Sequence, residues 1–293
     1  MEQPVCFKNI LLADDGSDHA LASIQLLLQL PIPSRTHVTV LRVFGTQQAS
    51  ELSVLESQLN DRCDLLKAKG FDTIPELLLG YPAEKIIEYA EQHHPDLIVV
   101  GARGLRATLG ILLGGVAQQV IEYASCPVLV VRAPLGQFKN FLLVVDGSQN
   151  SRAAAECLAH FPFPDGAELT VMHVLPPHYR TSITEVSESY QVEQPIVISE
   201  ETARQRSNED REASHLLDQM MEILAPCDRV IKPILARGDA ATEIIDHVRK
   251  NQVDLIIAGS RGLSRMRSWL LGSVSRKLVH YSGCSVLIVR GKA

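Results

Sequence analysis

Short apolar runs alternate along this chain with longer stretches in which apolar residues recur every three or four positions, the signature of buried strands alternating with amphipathic helices. Ile10-Leu11-Leu12-Ala13 is the first such run and leads into Asp14-Asp15-Gly16-Ser17. A helix is predicted next, capped by Ser17 or Asp18, with Ala20, Leu21, Ile24, Leu27 and Leu28 at helical spacing until Pro31 stops it. His37 to Phe44, rich in β-branched residues, reads as the second strand, and Leu52, Leu55, Leu59, Cys63 and Leu66 mark an amphipathic helix ending near Gly70. Ile74 to Leu79 is the third strand. Gly80-Tyr81-Pro82-Ala83-Glu84 then turns into a helix carrying Ile86, Ile87 and Ala90, with Pro82 suited to its first turn. Asp96 to Val100 is the fourth strand, a glycine loop and its helix follow, and Pro127 to Val131 is the fifth.

The second half runs through the same order. Phe141-Leu142-Leu143-Val144-Val145-Asp146-Gly147-Ser148 follows the first strand and turn at an offset of 131 (146 − 15), which Thr170 to Val174 keeps from Thr39 to Val43. From Gly238 onward the offset is 158 (238 − 80), so 27 residues (158 − 131) are inserted between the second strand and second helix of this half, within Pro176 to about Glu212. That segment is rich in Ser, Thr, Glu and Gln, with an apolar island at Ile196-Val197-Ile198. It reads as a surface loop or lengthened helix, or else as a partner segment or a lid, mobile without ligand, over the second-half site. Ala133-Pro134-Leu135-Gly136 is a short linker. The expected fold is α/β: two tandem doubly wound five-stranded parallel sheets, Rossmann-like or flavodoxin-like with order 3-2-1-4-5, in domains 1–134 and 137–293. Each fifth strand (Pro127–Val131 and Ser285–Val289) would be an apolar edge if left alone, so the halves are expected to pack as an intramolecular pseudo-dimer.

Candidate chemistry lies where strands one and four end. Ala258-Gly259-Ser260-Arg261-Gly262 leads to Gly272-Ser273-Val274-Ser275 and a helical run. One glycine-containing turn is ordinary α/β punctuation, but Gly101-Ala102-Arg103-Gly104 and Gly114-Gly115-Val116-Ala117 repeat the arrangement 158 positions earlier (259 − 101; 272 − 114). The pattern reads as a phosphate cradle: glycines allow close backbone approach, a helix N-terminus offers free N–H groups, and Ser273 and Ser275 add hydroxyl donors. With order 3-2-1-4-5, strand order reverses between strands one and four, which brings Asp146 and Gly259 to one crevice. A carboxylate repels phosphate but accepts a hydrogen bond from an exocyclic amine such as that of adenine; the competing reading makes Asp146 the cap of the following helix.

Two copies of a strand ending in Asp-Gly-Ser, a G-x2-G-x9-G-(S/T) loop, and closing strands Cys-Pro-Val-Leu-Val-Val-Arg and Cys-Ser-Val-Leu-Ile-Val-Arg resemble tandem universal stress protein domains over nearly the whole chain. The resemblance implies cytoplasmic proteins induced under stress or growth arrest, many binding ATP with little or no rapid turnover, whose domains pair through their last strands. Carried onto this sequence, it assigns Asp146 and the backbone near Val174 to adenine. It assigns Ala258, Gly259, Arg261 and Gly262 to ribose and phosphates, and Gly272, Ser273, Val274 and Ser275 to the phosphates, with or without Mg²⁺. The first half carries Asp15, Val43, Gly101, Arg103, Gly104 and Gly114, but Gly115 stands where Ser or Thr is expected and Ala117 stands opposite Ser275. This site is therefore expected to be weak or empty.

Composition narrows the classes. A net charge of −6 with 21% charged residues gives no broad surface for nucleic acid or anionic membrane. The first residues lack a signal-peptide pattern and no run approaches the ~18 apolar residues of a transmembrane helix, so a cytoplasmic location is expected. Six scattered cysteines without a CxxC pair indicate neither a disulfide framework nor a zinc site, and Cys126 and Cys284 read as small buried hydrophobes. No general base, P-loop lysine or pair of metal-binding carboxylates accompanies the glycine loop, His247 and His280 read as ordinary helix residues, and no metal or catalytic residue is assigned. G-x-G-x-x-G is absent after the first strand, which disfavours a flavin or NAD enzyme. The leading reading is an ATP-binding regulatory protein with an unidentified protein partner and room for homodimerisation. The alternatives are a slow ATPase and a structural pseudo-dimer without nucleotide.

Overall fold

The computed structural model describes residues 7–104, 113–177, 200–263 and 271–291. Its first half comprises β1 (Asn9–Ala13), α1 (Asp18–Gln29), β2 (His37–Phe44), α2 (Leu52–Ala68), β3 (Asp72–Leu79), α3 (Pro82–His93), β4 (Leu97–Gly101), α4 (Gly115–Tyr123) and β5 (Val128–Val131). The second comprises β6 (Asn140–Val145), α5 (Gln149–Ala159), β7 (Glu168–Leu175), α6 (Glu200–Leu224), β8 (Ile231–Arg237), α7 (Ala240–Asn251), β9 (Leu255–Gly259), α8 (Ser273–Tyr281) and β10 (Ser285–Val289).

The two expected sheets are joined in one. Strand order is β3-β2-β1-β4-β5-β10-β9-β6-β7-β8, which is 3-2-1-4-5 in each half, and every neighbouring pair is parallel except the central one. There β5 and β10 run antiparallel, with Leu129 opposite Leu287 and Val128 and Val130 opposite Ile288 and Val286. The pseudo-dimer is thus made edge to edge, through main-chain hydrogen bonds that leave neither apolar fifth strand open. The outer edges are β3 and β8, and each carries a proline, Pro75 and Pro233, 158 positions apart (233 − 75). A proline has no N–H to offer a further strand, so both edges are blunted.

Helices cover both faces, as right-handed crossovers between parallel strands require. One core joins residues of α1, α2, α5 and α6 to one face of the sheet, through Ile24, Leu59, Ala154 and Leu217 among others. The other joins α3, α4, α7 and α8 to the opposite face, through Ile86, Val120, Ile244 and Leu278. Two arginines lock the halves together. Arg132, just past β5, donates to Val279 O at the end of α8 (2.6 Å), and Arg290, just past β10, donates to Ile121 O (2.5 Å) and Glu122 O (2.7 Å) at the end of α4. Each closes the carbonyl end of the other half's helix, where a cation is favoured.

Part of the insertion is helix. α6 has 25 residues against 17 in α2. Arg237, at the end of β8, holds its early turns through Glu209 (3.0 Å) and Asp210 (2.7 Å). The rest of the inserted segment, 178–199, on which the lid reading depends, lies outside the described residues. Among the described residues no helix is long and apolar enough to cross a membrane.

Candidate functional site

The site is built from two turns in each half. In the Asp-Gly-Ser turn, Gly16 and Gly147 have φ of 82° and 80°, a left-handed conformation in which a side chain would be strained. Asp15 Oδ1 and Asp146 Oδ1 accept from the backbone N–H two residues on, at Ser17 and Ser148 (3.0 Å each). The serines are the true helix caps. Ser17 Oγ accepts from Ala20 N and Ser148 Oγ from Ser151 N, both at 3.2 Å. The same hydroxyls donate across the crevice to Arg103 O (3.3 Å) and Arg261 O (3.1 Å), tying the end of strand one to the glycine loop.

The glycines of that loop have separate jobs. A Cβ on Gly259 would lie 2.7–2.8 Å from the main chain of Asn150 and Ser151, so this glycine lets α5 start hard against β9, and Gly101 does the same for α1. A Cβ on Gly262 or Gly104 would collide with Asp146 Oδ2 or Asp15 Oδ2, so the second glycine makes room for the carboxylate. Gly272 N donates to Ser260 O and Gly114 N to Ala102 O, both at 2.8 Å, which closes each loop; the middles, 105–112 and 264–270, lie outside the described residues. Helix α8 then opens with Gly272 as N-cap and α4 with Gly114, and neither has a side-chain cap. The N–H groups of Ser273, Val274 and Ser275 have no helix acceptor, and the helix dipole adds partial positive charge there. With the adjoining Ser273 hydroxyl and the space kept open by Gly262, this donor set fits a phosphate group.

The side chains of several residues expected at the crevice are buried or engaged elsewhere. Ser275 is buried and its Oγ donates to Gly259 O (2.7 Å), so the hydroxyl assigned to phosphate is instead a strut between α8 and β9. A position three residues into a helix turns its side chain back toward the helix start and the sheet beneath. Arg103 also points away from the loop, with Nε 3.0 Å from His19 Nε2. Arg261 lies near Arg290, whose pKa is held down by burial first and by the charge of Arg261 second. Val43 and Val174 pack partly buried on the α3/α7 side of the sheet, and Ala258 is buried within β9. Burial raises the Cys126 and Cys284 thiols to about 11 and about 12, which keeps them protonated.

A sequence model of the universal stress protein family matches twice, over 7–132 and 137–290. The chain belongs to the universal stress protein family. It holds two copies of the domain in tandem. Single-domain relatives match about half of it: universal stress protein YxiE of Bacillus subtilis is 32% identical over 154 residues, 52% of this chain and 99% of that protein. Stress response protein NhaX of Bacillus subtilis is 28% identical over 161 residues, 51% of this chain and 96% of that protein. Whole-chain likeness in fold extends to a universal stress protein from Archaeoglobus fulgidus (TM-score 0.62, 21% identity, 97% of this chain and 98% of that one).

Comparing the two universal stress protein copies exposes a feature the sequence reading missed. Beneath the first turn, Asp14 and Arg42 form a buried ion pair through Nε and Nη2, and Arg42 Nη1 also donates to Gln58 Oε1 (2.9 Å). The corresponding second-half residues are Val145 (14 + 131), His173 (42 + 131) and Leu216 (58 + 158). There His173 Nδ1 bonds Val145 O at 2.8 Å, and Leu216 lies where a Cβ on Gly147 would touch it. Asp14 Oδ1 is buried without a hydrogen-bond partner. One signal was available: Arg42 stands between Val40-Leu41 and Val43-Phe44 in the C-terminal half of β2.

Proposed function

We propose that this universal stress protein is a cytoplasmic regulatory protein that binds ATP in its second domain, 137–293, at the ends of β6 and β9, and that the first domain, 1–134, binds it weakly or not at all. The observation that carries the reading is the start of α8: three first-turn N–H groups outside the helix's own hydrogen bonding, a glycine cap and the exposed Ser273 residue, beside Gly262 and the Asp146 carboxylate. The first half has the same backbone but Gly115 in place of Ser273. Ser275 contributes its N–H and not its hydroxyl, so the difference in donors between the two loops rests on one residue. Asp146 Oδ2 is the group available to an exocyclic amine, because Oδ1 is occupied by Ser148 N. Mg²⁺ would arrive with the triphosphate, screening its charge from Asp146. Bound nucleotide favours one conformation for a protein partner.

Calorimetric titration with ATP, alongside absorbance and mass spectrometry of the purified chain, tests this. One tight site per chain is expected. Ser273→Gly should weaken it by about 10- to 100-fold, the value of one hydrogen bond to a charged acceptor. Gly115→Ser should strengthen the first site. Two equivalent tight sites, or tight binding that survives Ser273→Gly, would refute the assignment, and multiple-turnover phosphate release would replace a binding role with an enzymatic one.

A further inference from the structure

His19 of α1 is buried, and its ring stands where the first glycine loop meets the start of the linker. Nε2 lies 3.0 Å from Arg103 Nε, while Nδ1 lies 3.0 Å from Ala133 N and 3.4 Å from Val131 O. Arg103 Nε and Ala133 N are both donors, yet a neutral imidazole has a single acceptor nitrogen. The ring cannot serve both at once. With the proton on Nδ1, Nε2 accepts from Arg103 and the Ala133 N–H faces another N–H. With the proton on Nε2, Nδ1 accepts from the Ala133 N–H and the Arg103 bond is lost. The base of the ring is fixed, since His19 Cβ is packed against Gly101, where an added Cβ would lie 2.8 Å away. Val131 O, the acceptor for a proton on Nδ1, already accepts from Ala102 N at 2.7 Å.

The second half makes the same tie without the conflict. His19 corresponds to Asn150 (19 + 131), Ala133 to Gly291 (133 + 158) and Ala102 to Ser260 (102 + 158). Asn150 Oδ1 accepts from Gly291 N at 2.9 Å and from Ser260 Oγ at 3.3 Å, and one carbonyl oxygen has lone pairs for both. We propose that His19 is a two-position latch between the first glycine loop and the linker: the neutral ring holds either Arg103 or Ala133, and the protonated ring holds neither. The charged groups facing the ring are Arg103 after β4, Arg132 after β5 and Asp18 on α1 itself, and the crevice beside it is lined from the second half by Arg249, Tyr281 and Cys284. Burial does most to lower the His19 pKa from 6.5; the Val131 carbonyl acts against it, the two arginines add to it and Asp18 opposes it least. The ring is therefore neutral near pH 7 and takes its proton below 6.5. Drawing Arg103 off the ring moves the proton to Nε2 and tightens the hold on Ala133, so the state of a loop residue is passed to the linker that joins the halves. Nothing in the latch depends on nucleotide.

Nitrogen NMR of the full chain reads the His19 tautomer directly, and amide hydrogen exchange reads Ala133, with Gly291 as the reference in the same chain. Arg103→Met removes the competing donor while keeping most of the side chain's length. It should move the ring proton to Nε2 and raise the protection of Ala133 relative to Gly291 by about 2- to 10-fold, the worth of one neutral hydrogen bond. General loosening of the half by the substitution would do the opposite, so the direction of the change separates the two. In wild type the ratio should fall as pH drops from about 7 to 5, with a midpoint below 6.5. In Arg103→Met that midpoint should rise, because a neighbouring cation is gone. His19→Asn, which copies Asn150, should make the ratio independent of pH and of Arg103. An Ala133 ratio unchanged or lowered by Arg103→Met, or one that stays flat with pH in wild type, would overturn the latch, as would a ring that titrates at 6.5 or above.

Discussion

Replacing Asp14 by Val alone should destabilise the first half by about 3–5 kcal/mol, because Arg42 is left as a buried cation without a counter-charge. The Arg42 side chain is 5% exposed and that of Asp14 is fully buried, so water cannot substitute for the lost partner. Gln58 Oε1, 2.9 Å from Nη1, is neutral and cannot do so either. The second half shows how the same place is filled without charge: Val145, His173 and Leu216. Copying that set, as Asp14→Val with Arg42→His and Gln58→Leu, removes both ions and the unpartnered Asp14 Oδ1 together. Its stability should match or exceed wild type, since replacing a buried pair with apolar residues is often neutral or favourable by about 1–4 kcal/mol. At about 2–4 °C per kcal/mol for a unit of 150–250 residues, the single variant should melt about 6–20 °C lower. Hydrogen exchange of β1 and β2 amides, with β6 and β7 as reference within the same chain, reports which half has loosened. A single variant costing less than about 1 kcal/mol would show the pair to be no more than a surface-type contact. A triple variant as unstable as the single would show that the half-for-half equivalence is not physical.

Two further outcomes follow from the geometry. Gly259→Ala drives a methyl into the main chain of Asn150 and Ser151, which cannot swing aside, and should cost about 1–3 kcal/mol or more in thermal unfolding. Gly262→Ala meets the far end of the Asp146 side chain instead of main chain, so it should cost less stability than Gly259→Ala and weaken ATP binding; the opposite ranking would contradict the roles given to the two glycines. For His19, the ordinary pKa of 6.5 is lowered in the folded chain, chiefly by burial. Above 6.5 both states are neutral there; as pH falls through 6.5 the unfolded chain takes up a proton that the folded chain resists, so stability is lost toward acid. His19→Asn, which copies Asn150, should flatten the decline between pH 7 and 5 in denaturant titrations, and an unchanged slope would count against it.

Much of the architecture was legible because the apolar pattern has two unmistakable periods. The runs at Ile10–Ala13 and Leu255–Ala258 are too short for helices and too apolar for half-exposed strands, which leaves buried parallel strands. Buried Ile24, Leu27, Leu59 and Leu66 stand where helical spacing put them. The joining of two sheets into one was half visible: sequence marked β5 and β10 as apolar edges and the family resemblance implied pairing through the last strands, but neither gave the antiparallel register that sets Leu129 opposite Leu287. Side-chain direction was the part hidden. Ser275 and Ser273 look alike in sequence, yet one points to Gly259 O and the other to solvent, because two positions along a helix rotate the side chain by about 200°. Arg103 was assigned to the loop that contains it, whereas its side chain reaches His19, distant by 84 positions.

What the tandem arrangement permits is visible in where the halves agree and where they differ. Positions matched at an offset of 158 include the junction arginines Arg132 and Arg290, the edge prolines Pro75 and Pro233, and the packing glycines Gly101 and Gly259, all of which serve the continuous sheet. Among the departures are Gly115 against Ser273 at the glycine loop, and Asp14, Arg42 and Gln58 against Val145, His173 and Leu216 beneath the first turn. In a symmetric homodimer of single domains every substitution appears at both sites, so one crevice cannot change without the other. Joining the copies in one chain removes that constraint while the central β5–β10 pair keeps the geometry of a dimer. The first half is then free to do without the hydroxyl that Ser273 gives the second and to hold a buried ion pair beneath its turn.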